Sequence, residues 1–260
     1  MIGIVVVSHS PALARAAVDL ALEMVGETPP PIAIAAGAGD GIIGTDAVKV
    51  AEAIDEVASG EGVLVFMDLG SAVLSGTMAT EFMTTSDEVR LTDAPFVEGL
   101  IAAIVLANAG ASLDEVDREA RGAMGPKQSQ LADQSGAVPA PAAETADIAS
   151  DAAPAVAAAA SATDGPATLT AEATLVNPDG LHSRPAAAIV QTLAGIDAKV
   201  TIRDVTTGKG PVGANSLIGI MSLGAKKDEV VAFSATGAAA QQAIDTLLEM
   251  TRDGFGELAS

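Results

Sequence analysis

The strongest constraint on this chain is a break in composition. Residues 131–166 are almost all Ala, Pro, Ser, Thr, Asp and Gly, with acidic residues but no Lys or Arg. Such a stretch cannot bury enough apolar surface to offset the entropy of ordering it. It reads as a flexible, partly extended tether, with a helical spacer through Ala157-Ala158-Ala159-Ala160 as the alternative. The chain of 260 residues therefore divides into a unit at 1–130, a linker at 131–166 and a unit at 167–260. A tether would hold the two units at roughly millimolar effective concentration, which suits transfer within one molecule. With five Phe and no Tyr or Trp, any core must be built from Val, Ile, Leu, Ala and Met. That palette suits buried parallel strands under Ala-rich helices.

In the first unit, strand and helix patterns alternate. Strands are expected at 2–7, 32–36, 62–67 and 89–92, and helices at 11–25, 46–58, 71–83 and 96–109. Ser112-Leu113-Asp114-Glu115 is a capping box that opens one more helix. This order predicts an α/β fold: an open, mostly parallel sheet with helices on both faces. Ligands of such sheets sit beyond the C-terminal strand ends, where the strand order reverses. His9 follows the first strand and Asp68 follows the third, so the two share a crevice if those strands are neighbours.

The second unit has a different order. Strands are expected at 168–176, 199–203 and 229–236, with an edge strand inside Gly-rich 208–213. Helices are expected at 185–193, 215–223 and 238–252. This βαββαβα order closes best as an antiparallel sheet with helices on one face, an open-faced sandwich.

The charge narrows the partners. A net charge of −21 repels nucleic acid and anionic membranes. It disfavours a free nucleotide too, and suits docking to basic faces of partner proteins. The absence of Cys removes disulfides and thiolate chemistry, and two histidines are too few for a multi-histidine metal site, so no metal is expected. No basic region precedes the first apolar run, and the apolar run at 100–107 is too short to cross a bilayer. The expectation is a soluble, cytoplasmic protein. There is no G-x-x-x-x-G-K-[ST] loop, and Gly37-Ala38-Gly39-Asp40-Gly41 lacks dinucleotide-binding spacing. No nucleotide site and no cofactor are expected.

The two histidines share a local setting. His9 lies between an apolar strand and Ser10-Pro11, and His182 lies between Asn177-Pro178-Asp179-Gly180-Leu181 and Ser183-Arg184-Pro185. In each case a strand ends, the chain turns, and a Pro marks the first turn of a helix. Helix N-termini carry unpaired N–H groups and a partial positive charge, and they bind phosphate. An imidazole placed there can take a phosphoryl group. Two such histidines suggest a protein that passes phosphate from one site to the other.

Particular residues then carry a resemblance. Gly180-Leu181-His182-Ser183-Arg184-Pro185-Ala186 and Asn215-Ser216-Leu217-Ile218-Gly219-Ile220-Met221-Ser222-Leu223, with the element order, resemble the histidine-containing phosphocarrier HPr of the bacterial phosphoenolpyruvate-dependent phosphotransferase system. The resemblance implies that His182 accepts phosphate from enzyme I and that Arg184 helps hold the phosphoryl oxygens. It also implies that Leu217 and Ile220 lie in an apolar patch that docks partners. The first unit resembles a mannose-type IIA domain. Val6-Val7-Ser8-His9-Ser10, Ile43-Gly44-Thr45-Asp46-Ala47-Val48-Lys49-Val50, Met67-Asp68-Leu69-Gly70-Ser71-Ala72 and Ala94-Pro95-Phe96-Val97-Glu98-Gly99 bring it closest to the phosphotransferase-subunit family of bacterial dihydroxyacetone kinases. Some relatives carry a further piece resembling part of enzyme I. This sequence stops after its HPr-like unit, so a separate enzyme I is expected.

The resemblance implies an order of transfer. Phosphate would pass from enzyme I to His182, directly or through a separate HPr, then to His9. From there it would reach ADP held in the nucleotide-binding kinase subunit, which phosphorylates dihydroxyacetone bound to another subunit. A homodimer through the first unit is implied on family grounds. Rival readings are a IIA component of a mannose-type sugar permease and a regulator controlled by its own phosphorylation. Transfer between histidines needs alignment and charge stabilisation above all. Helix N–H groups with Gly70, Ser71 and Arg184 are the expected oxygen holders, and Asp68 would fix the tautomer of His9. Asp68 could instead cap a helix, as could Thr45, whose other reading is a contact to the site. Arg184 could be a plain surface residue. Ser216 is open to two readings, a helix cap and a regulatory phosphorylation site.

Overall fold

The computed structural model describes residues 1–26, 28–39, 41–135 and 168–258. Its first part contains β1 (Gly3–Ser8), α1 (Pro11–Leu22), β2 (Ile32–Ala36), α2 (Ala47–Val57), β3 (Val63–Met67), α3 (Gly70–Ala79), β4 (Val89–Leu91), α4 (Phe96–Asn108), α5 (Leu113–Gly122) and α6 (Gly125–Ser135). The four strands are parallel in the order β2-β1-β3-β4. β1 is buried along its whole length because both faces are covered. Ile4, Val6, Leu64 and Phe66 pack in one cluster with side chains of α1, α4 and α5. Val5, Val7, Val63 and Val65 pack in a second with α2 and α3. A strand buried on both faces reads as a continuous apolar run, as this one does.

β1 and β3 are neighbours, with Val7 beside Met67. The chain leaves β1 towards β2 on one side and leaves β3 towards β4 on the other. The strand order therefore reverses between them, and the residues after Val7 and Met67 line the crevice there.

The second part contains β5 (Leu169–Thr174), α7 (Ser183–Ala194), β6 (Lys199–Asp204), β7 (Val212–Gly213), α8 (Leu217–Leu223), β8 (Val230–Thr236) and α9 (Ala240–Arg252). Its strands are antiparallel in the order β5-β8-β6-β7. β8 alternates buried and half-buried residues, which is the mark of a sheet covered on one side.

Several boundaries differ from expectation. α1 ends at Leu22 because Met24 and Val25 donate to carbonyls three residues back, tightening the last turn. α3 ends at Ala79, where Glu81 and Phe82 make the same kind of bond. α6 was not expected. It begins beside Pro126, is tied to α4 by a Lys127–Glu98 ion pair of 2.8 Å, and packs on α8. It runs into the segment where the tether was expected to begin. The rest of that segment, including its Ala run, lies outside the described residues.

The two parts share one apolar cluster, with α7 against α4 and α8 against α4, α5 and α6. The docking patch expected at Leu217 and Ile220 is covered in this arrangement. Both are buried, at 1% and 0% exposure, because one face of α8 turns into this shared core. Among the described residues no helix is long and apolar enough to cross a membrane.

Candidate functional site

His9 sits directly after β1, where Ser10 caps α1 by accepting from the Leu13 amide and Pro11 occupies the first helical turn. Asp68 sits directly after β3 and reaches across. Its Oδ2 accepts from the His9 amide and from the Ser8 hydroxyl, each at 2.8 Å. Its Oδ1 lies 2.8 Å from His9 Nδ1. The carboxylate is 7% exposed. Burial alone would push its carboxyl up, but the His9 amide, the His9 ring and the Ser8 hydroxyl outweigh it and hold it below the ordinary carboxylate range. An ionised Asp68 can only accept, so Nδ1 carries a proton and Nε2 is the basic nitrogen. Nε2 faces the Ser71 hydroxyl at 2.7 Å, which can donate to it.

Asp68 is therefore not a helix cap, since the cap position of α3 is Leu69 and makes no side-chain bond. Gly70 and Ser71 open α3, so their amides belong to a first turn with no intrahelical acceptors. Two helix N-termini, of α1 and α3, thus flank one imidazole. Thr45 turns its hydroxyl away from the His9 ring's partners. Its hydroxyl pairs with Ser75 on α3 at 2.7 Å, and Asp46 is the residue that caps α2. Thr45 thereby ties the turn before α2 to α3, next to Gly44, whose amide donates to the His9 carbonyl.

His182 occupies the cap position of α7 with no side-chain cap bond. Gly180 before it has φ +65, and a Cβ there would lie 2.1 Å from the Ala225 carbonyl oxygen, so only glycine fits. Nε2 of His182 is buried and has no aligned hydrogen bond. A Glu257 oxygen lies 2.8 Å from it, off the ring N–H axis, as a charge partner. The other Glu257 oxygen accepts from Asn177 Nδ2 at 2.9 Å, and Asn177, wholly buried, also donates to the Gly180 carbonyl. With Nε2 enclosed, Nδ1 is the nitrogen left for an incoming group. Arg184 points elsewhere: its guanidinium lies 3.4 Å from Glu23 at the end of α1. Ser216 caps α8 by accepting from the Gly219 amide and donates to Glu119 of α5 at 2.7 Å.

The structure thus joins His9 with Asp68 and Ser71 in one crevice. It places His182 with Glu257 and Asn177 in another. Sequence reasoning missed Ser8, Asn177, Glu257 and Glu119. Among the described residues no group of three or more His, Asp or Glu side chains is placed to hold a metal ion.

Comparison with known proteins follows this division. Residues 3–117 match the family described as the PTS system fructose IIA component. Residues 169–253 match the PTS HPr component phosphorylation site. The chain is 35% identical, over 99% of its length, to a Providencia stuartii protein named PEP-dependent dihydroxyacetone kinase, phosphoryl donor subunit DhaM. It is 38% identical over the same share to the Escherichia coli protein of that name. It spans about half the length of those two relatives, 51% in each case. A shorter Listeria innocua protein, named the phosphoryl donor subunit DhaM of PEP-dependent dihydroxyacetone kinase 2, is 39% identical over 40% of this chain and 85% of its own length.

Proposed function

The chain belongs to the DhaM family of phosphoryl donor subunits, and from that premise we propose that it relays phosphate from His182 to His9 and on to a dihydroxyacetone kinase. Enzyme I, charged by phosphoenolpyruvate, supplies His182, directly or through a separate HPr. His9 then discharges to ADP held in the nucleotide-binding subunit, which phosphorylates dihydroxyacetone bound to a third subunit. The first domain acts as a homodimer.

The observation that carries this reading is the His9 ring pinned by Asp68, with Nε2 turned to a hydroxyl and a helix N-terminus. In the transfer the P–N bond at His182 Nδ1 breaks as the P–N bond at His9 Nε2 forms. The His9 ring gains positive charge, and Asp68, still accepting from Nδ1–H, offsets it. The Ser71 hydroxyl turns from Nε2 to a phosphoryl oxygen, and the Gly70 and Ser71 amides take others. At His182 the free first-turn amides of α7 do the same work, and Arg184 joins them once it leaves Glu23. Catalysis is positioning and charge, with no acid–base step for the rings to perform.

The test is phosphohistidine mapping with labelled phosphoenolpyruvate and enzyme I, on wild type, His182→Ala and His9→Ala. Label on His9 that vanishes in His182→Ala supports the relay. Label that survives there overturns it. Discharge of labelled His9 to ADP on the kinase subunit, followed by dihydroxyacetone phosphate, separates the kinase role from a sugar permease.

A further inference from the structure

The contacts between domains set the Arg184 end of α7 against the end of α1 opposite His9. His9 lies at the N-terminal end of α1, and Glu23, the partner of Arg184, caps its C-terminal end. Twelve helical residues separate the ends of α1 by about 18 Å. Direct transfer needs reacting atoms roughly 3 Å apart. The docked arrangement thus fixes α7 at the end of α1 away from His9 rather than at the His9 crevice.

What holds it is polar at both ends. At the α1 end, Arg184 meets Glu23, and the Gln191 amide of α7 donates to the Met24 carbonyl at 2.7 Å. At the α5 end, one Glu119 oxygen accepts from the Ser216 hydroxyl at 2.7 Å and the Ile218 amide at 2.6 Å. A cleft of about 740 Å³ opens beside the α5 clamp, lined by Glu119 and Ser216 and by Leu106, Ala111, Val190 and Leu193. Water therefore reaches the seam next to the Glu119 contacts, where it can compete for them.

We propose that the docking is a latch that phosphorylation of His182 releases. The inference rests on the reading above that His182 takes phosphate, an N–P bond forming there as the donor's bond breaks. The group it gains carries roughly two negative charges at neutral pH. Arg184, two residues away, has a stronger partner there than in Glu23, whose carboxylate is exposed and offers little by itself. Once Arg184 turns, Glu23 faces the phosphoryl group with no cation between them, and like charge drives the α1 end away. The undocked domain is then free to bring His182 to a His9 crevice. A carrier without phosphate stays docked, and a loaded one is free to deliver.

The chain has no Cys, so two introduced ones label cleanly. Spin labels go on exposed Glu52→Cys of α2 and Gln242→Cys of α9, in a His9→Ala background that keeps phosphate on His182. Distances come from pulsed electron resonance on the full chain, and phosphate on His182 from ³¹P resonances of the same sample. With the labelled chain diluted into excess unlabelled chain, so that a dimer carries one labelled copy, the expected result is one narrow distance peak, lost after addition of phosphoenolpyruvate and enzyme I and retained when His182→Ala is added. Glu119→Lys should lose the peak with no donor present. A narrow peak that persists with phosphate on His182, or a broad distribution from the start, overturns the latch. Absence of phosphate on His182 overturns the reading beneath it.

Discussion

Replacing Asp68 by Asn tests the central chemistry with almost no change in shape. Asp68 takes three donors: the Ser8 hydroxyl and the His9 amide on one oxygen, and the His9 ring on the other. An Asn can keep the first two with its carbonyl oxygen. Its NH₂ group then faces Nδ1, and a donor facing a donor is repulsive. The ring answers by moving its proton to Nε2, the nitrogen that must attack. A hydrogen bond to a charged group contributes about 1.5–3 kcal/mol. If that much is lost in the transition state, transfer slows by roughly tenfold to a hundredfold. The assay is single-turnover: label His182, then follow appearance of label on His9 by rapid quench. Thermal unfolding of the same variant supplies the control. Because Asp68 titrates below its ordinary value when folded, its stabilisation is complete above the ordinary carboxylate pKa. It drains away as pH falls through the folded value. Wild type and variant should therefore differ in stability at neutral pH and converge in acid. Transfer within about threefold of wild type, in a folded Asp68→Asn protein, would refute the role given to this carboxylate.

Three further outcomes follow from the geometry. Gly180→Ala sets a methyl 2.1 Å from the Ala225 carbonyl at φ +65, so the second domain should lose more than about 2 kcal/mol in denaturant unfolding; an unchanged midpoint would mean the loop relaxes freely. Glu257→Gln removes the charge beside His182 Nε2 and should slow labelling of His182 by about tenfold, or 1.4 kcal/mol, with an unaltered initial rate removing Glu257 from the site. Asp55 accepts from the Thr84 and Thr85 amides and the Thr84 hydroxyl, chiefly through Thr85 held below the ordinary carboxylate range. Asp55→Ala should cost about 1 kcal/mol at neutral pH and nothing once pH falls below the folded value, a convergence that urea melts at two pH values would detect.

The sheet and its crevice were legible because both depend on patterns the chain repeats. Strands buried on two faces need unbroken apolar runs, and those runs place His9 and Asp68 at neighbouring strand ends. α6 was illegible because Lys127, Gln128, Ser129 and Gln130 carry no apolar period. It is held by α8 and the Glu98 ion pair, which are tertiary partners. Glu257 and Asn177 lie 80 residues apart, and no local spacing links them. One signal was available. Gly254-Phe255-Gly256 all have positive φ, and a Gly-x-Gly after a terminal helix marks a reversal that returns the chain to the body of the domain. Arg184 shows the opposite failure. Its neighbours in sequence direct it to phosphate, while the nearest carboxylate in space is Glu23.

The two rings are held in opposite senses, and that bears on how the proposed relay closes. Asp68 holds Nδ1 of His9 and leaves Nε2, at the far tip of the ring, facing outward. The Glu257 side encloses Nε2 of His182 and leaves Nδ1, next to the backbone and the first turn of α7. In a transfer complex the tip of His9 must therefore reach in towards the α7 N-terminus. The phosphoryl group then lies between the N-termini of α7 and α3. Two such ends repel one another when nothing lies between them, and a shared anion turns that repulsion into attraction on both sides. Productive docking would thus depend on the cargo itself, which is the complement of a resting dock that the cargo disrupts. The two phosphorylated species should also be different isomers. ³¹P resonances of His9→Ala and of wild type at full charge should show one Nδ1 and one Nε2 phosphohistidine. The same isomer at both positions would mean that the carboxylates do not choose the nitrogen.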